Sequence, residues 1–252
     1  MKNIFITGAS SGIGKSMAKS YSKKGCTLGL CSRNIEKLNI VKEECQKLGG
    51  KVFIYQLDVQ NSQQCIKISE KFNLDAGGID CVIANAGIGG DDDLFSGNSQ
   101  KFNNILKTNL FGVTNILMPF IPIMKKQKSG TLVCISSVAA FIPTPFHGAY
   151  SSSKSAIKMI FDSWRPNLNI FNIKTVTICP GFIDTPMVKG VGRNFPMKSA
   201  DQASEKFLKI IEKGVDTYIY PYFYKMIIYL YKLIPKKIYN MLITKIFSKP
   251  IS

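Results

Sequence analysis

The chain begins with the segment NIFITGASSGIG, residues 3–14, in which an apolar run leads into three closely spaced glycines. Glycines at this spacing after a strand allow a tight turn and let the backbone approach a pyrophosphate. A helix that starts in the same turn offers free N–H groups and the positive end of its dipole to phosphates. The segment is not a P-loop, because it lacks the closing Gly-Lys-Ser/Thr at the required spacing. We therefore predict a dinucleotide-binding turn, made by Gly8, Ser10, Ser11, Gly12, Ile13 and Gly14.

Short apolar runs alternate with longer helical patterns through the first 220 residues. The runs are continuous rather than alternating, which is typical of strands covered by helices on both faces. Regular β-α-β alternation predicts an α/β fold with a single Rossmann-type, doubly wound parallel sheet. The predicted strands are residues 3–7, 27–31, 51–57, 81–84, 131–136, 175–179 and 217–220. The predicted helices are residues 14–24, 35–48, 62–72, 101–126, 151–168 and 200–213.

The composition is that of a folded protein with a large excess of positive charge. Hydrophobic residues make up 45% of the 252 residues, which excludes a disordered chain and suits one α/β domain. The 33 Lys and Arg against 16 Asp and Glu give a formal net charge of +17. Such a charge favours an anionic partner: a small molecule, a membrane surface or nucleic acid. No nucleic-acid recognition motif accompanies it, so we expect no nucleic-acid partner.

The seven cysteines are odd in number, widely spread and without a CxxC pair. With a single histidine, His147, they offer little for a zinc site, and we expect no metal. Most of them lie in apolar runs, which indicates small core residues in a reducing compartment. No signal-peptide pattern is visible at the N-terminus, so we expect a cytoplasmic protein.

The end of the second predicted strand bears on the choice of cofactor. Dinucleotide folds that bind the ribose 2′-hydroxyl place an acid here, but this chain has Ser32 and Arg33, and Glu36 already lies in the next helix. An arginine can instead bind a 2′-phosphate through a bidentate, charge-assisted contact. The sequence therefore favours NADP(H) over NAD(H), with a solvated surface arginine as the alternative.

Further motifs follow the strands in order. Asn85-Ala86-Gly87 comes after the fourth strand, Ser137 closes the fifth, and Tyr150 and Lys154 form a YxxxK pair thirteen residues after that serine. With the TGxxxGxG turn, these motifs resemble the classical short-chain dehydrogenase/reductase family over about residues 1–220. Ala84 replaces the first residue of the family's usual NNAG, a departure we expect to be tolerated.

The resemblance implies a set of site residues and an assembly. It implies contacts to the cofactor at the adenine ring, along the sheet edge and around the nicotinamide. It also implies a catalytic set in which Asn109 holds a water molecule that links Lys154 to solvent. It also implies a small-molecule substrate and a homodimer or homotetramer. The implied cofactor residues beyond the turn and Arg33 are Asp58, Val59, Asn85, Ala86, Gly87, Tyr150, Lys154, Pro180, Gly181, Ile183 and Thr185. The implied catalytic residues are Asn109, Ser137, Tyr150 and Lys154.

The chemistry of the YxxxK pair can also be argued from the residues. On a helix, Tyr150 and Lys154 project from one face, one turn apart. An ammonium near a phenol favours the phenolate, so we expect Lys154 to lower the pKa of Tyr150 toward working pH. Tyr150 then acts as general acid in carbonyl reduction and general base in alcohol oxidation, while Ser137 holds the substrate oxygen.

The segment after Pro180-Gly181 is predicted to select the substrate. Glycines at 190 and 192 indicate a mobile lid over residues 187–197, lined by Met187, Val191, Phe195 and Met197, with Lys189 and Arg193 able to meet an anionic group. A plain flexible loop is the alternative. Apolar wall residues are also expected from the segment before Tyr150: Phe141, Ile142 and Phe146. His147 is a further candidate for the substrate pocket, with an ordinary loop histidine as the favoured alternative.

The prediction is therefore an NADP(H)-dependent oxidoreductase acting on a carbonyl or secondary alcohol of a hydrophobic molecule. One alternative is a non-catalytic, NADP-binding, membrane-associated regulatory protein on the same fold, although such a protein would not need the intact catalytic set. Epimerisation or dehydration on the same scaffold is a further alternative.

Residues 221–252 form a basic, aromatic C-terminal extension beyond a domain of residues 1–220. No acid follows Asp216, whereas six lysines and seven of the ten tyrosines lie in residues 217–252. Rings and lysines on an amphipathic helix, interrupted here at Pro235, suit an anionic membrane interface. The lysines are too frequent for a transmembrane span. We therefore predict peripheral contact with the inner face of a membrane through residues 221–247. The alternatives are packing over the substrate pocket and a subunit interface.

Overall fold

The computed structural model describes residues 1–188 and 197–247, with the side chains of residues 246 and 247 left out. Its centre is a seven-stranded sheet in which all neighbouring strands are parallel. The strand order is β3-β2-β1-β4-β5-β6-β9, which is the predicted doubly wound sheet. The sheet strands are β1 (Asn3–Thr7), β2 (Thr27–Ser32), β3 (Lys51–Gln56), β4 (Cys81–Ala84), β5 (Gly130–Ile135), β6 (Ile173–Pro180) and β9 (Thr217–Tyr220). Two short strands, β7 (Ile183–Asp184) and β8 (Lys198–Ser199), pair with each other outside it.

Helices cover both faces of the sheet and enclose two apolar cores. Side chains of α1, α2 and α8 form one core, while those of α3, α5, α6 and α7 form the other. The helices are α1 (Gly12–Ser22), α2 (Ile35–Lys47), α3 (Ser62–Ala76), α4 (Gln100–Leu106), α5 (Gly112–Leu117), α6 (Phe120–Gln127), α7 (Gly148–Asn169), α8 (Ala200–Lys213), α9 (Phe223–Leu233) and α10 (Lys236–Phe247).

The single long helix predicted over residues 101–126 is wrong in detail. After α4, the turn Lys107–Phe111 is a π-helix, and α5 then ends two residues before Pro119. Met118 keeps helical backbone angles, but Pro119 has no backbone N–H to donate to the carbonyl of Asn115, and a proline ring crowds that carbonyl. The insertion of Pro119 therefore ends α5 and starts α6.

All seven cysteines are buried, as expected of small core residues. Burial raises the pKa of all seven thiols, with Cys65 and Cys179 reaching about 12, so the thiols are neutral at physiological pH.

The C-terminal extension folds as α9 and α10, separated near Pro235. Tyr224 and Ile228 on α9 are buried against the domain, whereas most other apolar side chains of the two helices are exposed. Across the described residues, no helix is long and apolar enough to pass through a bilayer.

Candidate active site

A cavity of about 370 Å³ lies at the carboxyl edge of the sheet, where the strand order reverses between β1 and β4. Ligands of open α/β sheets bind in such a crevice. Of the twenty predicted site residues, all but Gly14 and Asn109 line it. They are Gly8, Ser10, Ser11, Gly12, Ile13, Arg33, Asp58, Val59, Asn85, Ala86, Gly87, Ser137, Tyr150, Lys154, Pro180, Gly181, Ile183 and Thr185.

The glycine-rich turn has the backbone conformation that only glycine adopts easily. Gly8 and Gly12 have φ of +64° and +52°, and a Cβ at Gly8 would lie 2.9 Å from the Cα of Ala86. Because α1 begins at Gly12, its first backbone N–H groups have no partners within the helix. The turn therefore leaves room and donors for a phosphate group at the cavity.

Gly14 was predicted to contact the cofactor, but it lies outside the cavity. A Cβ on this residue would lie 2.5 Å from the carbonyl oxygen of Gly8 and 2.5 Å from Nδ2 of Asn85. The glycine thus allows α1 to pack closely on the turn, and it shapes the cavity without lining it.

Asn85 joins the ends of β1 and β4. Its Nδ2 donates to the carbonyl oxygen of Thr7 at 2.9 Å, and its backbone N–H donates to Oγ1 of Thr7 at 2.9 Å. The N–H of Ala86 donates to the same hydroxyl at 2.9 Å. These bonds fix the crevice at the point where the strand order reverses.

Two positively charged side chains line the cavity near the end of β2. Arg33 follows β2, and Lys37 lies in the first turn of α2; both side chains are exposed and line the cavity. Within the described residues, neither forms a salt bridge. Sequence reasoning missed Lys37, although its spacing of four residues from Arg33 could have shown it.

Ser137, Tyr150 and Lys154 meet at the other end of the cavity, where α7 presents the last two one turn apart. The Ser137 side chain is close enough to the Tyr150 phenol to lower its pKa, and Oγ of Ser137 donates to the carbonyl oxygen of Pro180 at 3.4 Å. Lys154 is 5% exposed, and its Nζ donates to the carbonyl oxygen of Ile135 at 2.9 Å. The same Nζ lies 5.6 Å from the ring centroid of Tyr150.

The expectation that the pKa of Tyr150 lies below its ordinary value is wrong for this structure. Burial raises the pKa of Tyr150 and outweighs the lowering effect of the nearby Ser137 side chain. Burial also lowers the pKa of Lys154 to about 8. Since the ammonium is directed at the Ile135 carbonyl, loss of water is the dominant influence on both groups.

Asn109 is fully buried in the π-helical turn and does not line the cavity. Its Nδ2 donates to the carbonyl oxygen of Ile88 at 2.9 Å, and its Oδ1 accepts from the N–H of Ile88 at 2.8 Å. A Cβ at Gly87 would lie 3.1 Å from this Oδ1 and 3.5 Å from Nζ of Lys154. In this structure Asn109 therefore fixes the segment after β4 beside the lysine.

Asp92 holds the start of α7 and was missed from the sequence. Its carboxylate is 5% exposed and accepts from the N–H groups of Gly148 and Ala149, the latter at 2.8 Å. The N–H of Asp92 donates to the carbonyl oxygen of Phe146 at 2.7 Å. A carboxylate at this position satisfies free helix donors and complements the helix dipole. Tyr150 lies one residue beyond these bonded groups.

The predicted substrate region is only partly described. Met187 and Val188 line the cavity, and Met187 is half exposed. Residues 189–196 of the predicted lid, with Lys189 and Arg193, lie outside the described residues. Met197 is described, but it is exposed and does not line the cavity. The expected wall residues Phe141, Ile142 and Phe146 and the candidate His147 do not line the described cavity. His147 precedes α7, with Nδ1 2.8 Å from the carbonyl oxygen of Pro145.

Comparison with known proteins identifies the family of this arrangement. A family model described as short chain dehydrogenase matches residues 2–195. An 11-beta-hydroxysteroid dehydrogenase-like 2 protein of Arabidopsis thaliana is 34% identical, over 98% of this chain and 82% of its own. A 3-oxoacyl-[acyl-carrier-protein] reductase of Thermotoga maritima is 34% identical, over 75% of this chain and 76% of its own. The structure is similar to that of an alcohol dehydrogenase from Thermococcus sibiricus complexed with 5-hydroxy-NADP, with a TM-score of 0.78, 27% identity and coverage of 87% and 94% of the two chains.

Proposed function

Since this chain belongs to the short-chain dehydrogenase/reductase family, we propose that it transfers a hydride between NADP(H) and the carbonyl or secondary alcohol of a hydrophobic molecule. The observation that carries the proposal is the meeting of Ser137, Tyr150 and Lys154 in one cavity with the glycine-rich turn. A binding protein would need the turn but not the phenol, hydroxyl and buried ammonium together.

The residues around the cavity fit a nicotinamide dinucleotide. The pyrophosphate would fit the space at Gly8 and Gly12 and accept from the free N–H groups of α1. The adenosine would lie against Asp58 and Val59. The nicotinamide half would be held by Pro180, Gly181, Ile183 and Thr185. When bound, the nicotinamide supplies or accepts the hydride.

The chain's own residues handle the proton. The raised pKa of Tyr150 keeps its phenol neutral at physiological pH, which is the form that donates a proton to a carbonyl oxygen during reduction. Ser137 holds that oxygen and stabilises the charge that develops on it. Lys154, protonated below a pKa of about 8, stabilises the phenolate that remains. This electrostatic arrangement favours reduction at neutral pH.

The direct test is NADPH oxidation across a panel of ketones that includes thioesters and lipid-like compounds. We expect turnover with apolar ketones, because Met187 and Val188 are the described side chains at the substrate end. No turnover on any carbonyl, together with intact NADPH binding, would instead support a non-catalytic cofactor-binding protein.

The preference for NADP(H) is tested at Arg33 and Lys37. The double variant Arg33→Ala/Lys37→Ala is expected to raise the KM for NADPH by about 10- to 100-fold and to leave that for NADH nearly unchanged. The reason is that charge-assisted hydrogen bonds to a phosphate contribute about 1.5–3 kcal/mol. Steady-state kinetics with both cofactors measure the effect.

The matched control is Lys47→Ala, which removes a charge at the other end of α2, outside the cavity. It should leave both KM values unchanged. An equal rise in KM for NADPH and for NADH in the double variant would show that Arg33 and Lys37 do not bind the 2′-phosphate.

Asp92 is proposed as a positioning residue for Tyr150. Asp92→Ala removes the acceptor of two helix N–H groups and should lower the free energy of unfolding by about 1–3 kcal/mol. We expect kcat to fall about tenfold with little change in KM, since the start of α7 carries the phenol. Urea unfolding and steady-state kinetics measure the two effects.

Two variants separate positioning from general destabilisation. Asp92→Asn keeps one acceptor oxygen and should recover part of kcat. Asp201→Ala, which removes an exposed acid from the first turn of α8, should not change kcat. If Asp92→Ala loses stability but keeps full kcat, the proposed positioning role is incorrect.

A further inference from the structure

The exposed apolar surface of the described residues is concentrated on the two C-terminal helices, α9 and α10. Eleven of the 23 large apolar side chains exposed in the described residues lie between positions 222 and 242. They include the long side chains of Met226 (62% exposed), Leu233 (63%) and Met241 (62%). An apolar patch of this kind is typical of a surface that contacts another protein or a membrane.

The charge of the same surface has one sign. Lys225, Lys232, Lys236 and Lys237 are exposed, and within the described residues none of the four forms a salt bridge. The last acid of the chain is Asp216. Nζ of Lys225 lies 4.8 Å from the ring centroid of Tyr222, which puts a cation beside an exposed aromatic ring.

One contact fixes α9 at the cavity, and another fixes α10 to the segment that precedes Tyr150. The ring of Tyr224 packs directly on Gly181, which lines the cavity. On α10, the hydroxyl of Tyr239 donates to the carbonyl oxygen of Pro143 at 2.7 Å, in the segment between Ser137 and Tyr150. The rings of Tyr239 and Tyr231 meet edge to face at 5.1 Å, which ties the two helices together.

We infer that helices α9 and α10 lie on the surface of an anionic phospholipid bilayer and that the substrate is a lipid-like carbonyl compound held in that bilayer. Aliphatic and aromatic side chains enter the interface, and the unpaired lysines bind the lipid phosphates. A membrane explains both the single sign of the charge and the exposed apolar area, whereas a second copy of this chain would bring the same lysines against one another. The substrate part of the inference rests on the proposed oxidoreductase function.

The binding test uses the full-length protein, because truncation would remove Tyr224 from Gly181. Sedimentation with vesicles of phosphatidylcholine alone, or with 30% phosphatidylglycerol, measures partitioning. The wild type should bind the anionic vesicles and release them at high salt. The variant K225Q/K232Q/K236Q/K237Q should bind at least 100-fold more weakly, since each lysine near an anionic surface adds a separate favourable contribution.

The matched control carries the same change in charge on the body of the protein. Lys47, Lys67, Lys71 and Lys209 are exposed on α2, α3 and α8, and their replacement by Gln should change vesicle binding less than threefold. A second tail variant, L230Q/L233Q/M241Q, tests the apolar contribution separately and should also release the protein from vesicles.

The activity test compares two substrates with NADPH. Wild type and tail variants should reduce a short, water-soluble ketone at the same rate, while the wild type should reduce a long-chain ketone in anionic vesicles at least tenfold faster than the tail variants do. Turnover of the soluble ketone without vesicle binding would overturn the membrane inference alone. Vesicle binding without turnover of any carbonyl would overturn the proposed function and the substrate inference with it. A tail variant that changes only the molecular mass in solution would assign the surface to a second copy and overturn the inference.

Discussion

Replacing Tyr150 by Phe is expected to lower kcat for carbonyl reduction by about 10²–10⁴-fold, the range that general acid catalysis contributes. The phenol lines the cavity together with Ser137 and is the group placed to protonate a substrate oxygen. The dissociation constant for NADPH should stay within about threefold, because the glycine-rich turn and the cations near it are unchanged. Single-turnover kinetics and fluorescence titration of NADPH measure the two quantities.

Loss of activity must be separated from loss of fold. The free energy of unfolding should change by less than about 1.5 kcal/mol in Tyr150→Phe, because the variant removes a single hydroxyl, at most the contribution of one neutral hydrogen bond, while the ring stays in place. Tyr218→Phe, on β9 and outside the cavity, is the matched control and should retain full kcat. Undiminished turnover in Tyr150→Phe would show that another group protonates the substrate.

The sheet could be predicted from the sequence almost to the residue. β1, β4 and β9 have the predicted bounds, and the other sheet strands differ by at most two residues at either end. The reason is physical: strands covered on both faces are short, continuous apolar runs, and here turns and helix caps bound them. One such cap is Asn34, whose Oδ1 accepts from the N–H of Lys37 at 2.8 Å at the start of α2.

Side-chain contacts between distant segments could not be predicted in the same way. The carboxylate of Asp92 meets the start of α7 across 56 residues of sequence, and nothing in the run Asp91-Asp92-Asp93 marks one of the three for this contact. Gly14 matches the motif, yet the motif does not say whether a glycine faces the ligand or the neighbouring helix. The packing of Tyr224 on Gly181 likewise depends on how α9 docks on the domain.

The electrostatics of the catalytic group depend on burial that the sequence does not show. Spacing on a helix correctly places Tyr150 and Lys154 one turn apart. It does not show that Lys154 is 5% exposed or that its Nζ donates to the carbonyl oxygen of Ile135. Desolvation therefore reverses the expected direction of the pKa shift for Tyr150 and lowers the pKa of the lysine.

Replacing Lys154 by Met is expected to lower kcat about 100- to 1,000-fold, because the phenolate formed at Tyr150 would lose the buried charge that stabilises it. Lys158→Met is the matched control. Lys158 lies one turn further along α7 and pairs with Asp162 at 2.6 Å, outside the cavity. The Lys158→Met substitution should leave kcat within about threefold of the wild-type value and lower the free energy of unfolding by at most about 1 kcal/mol.

The Lys154→Met substitution has a second effect, on the pH dependence of stability. The pKa of Lys154 falls from its ordinary value of about 10.4 to about 8 in the folded protein. Between these values the unfolded chain holds a proton that the folded chain has released, so the free energy of unfolding rises with pH. Relative to Lys154→Met, the wild type should therefore gain about 2 kcal/mol between pH 7 and pH 9.5.

Urea unfolding at the two pH values measures this gain, and the comparison between variants cancels the contributions of Tyr150 and the buried cysteines. Both of those classes have raised pKa values and act on stability in the opposite direction as pH increases. A stability difference between wild type and Lys154→Met that does not change with pH would mean that the ammonium stays hydrated in solution. Lys154 would then contact more water than its 5% exposure indicates. The raised pKa of Tyr150 also depends on burial, so that result would contradict it as well.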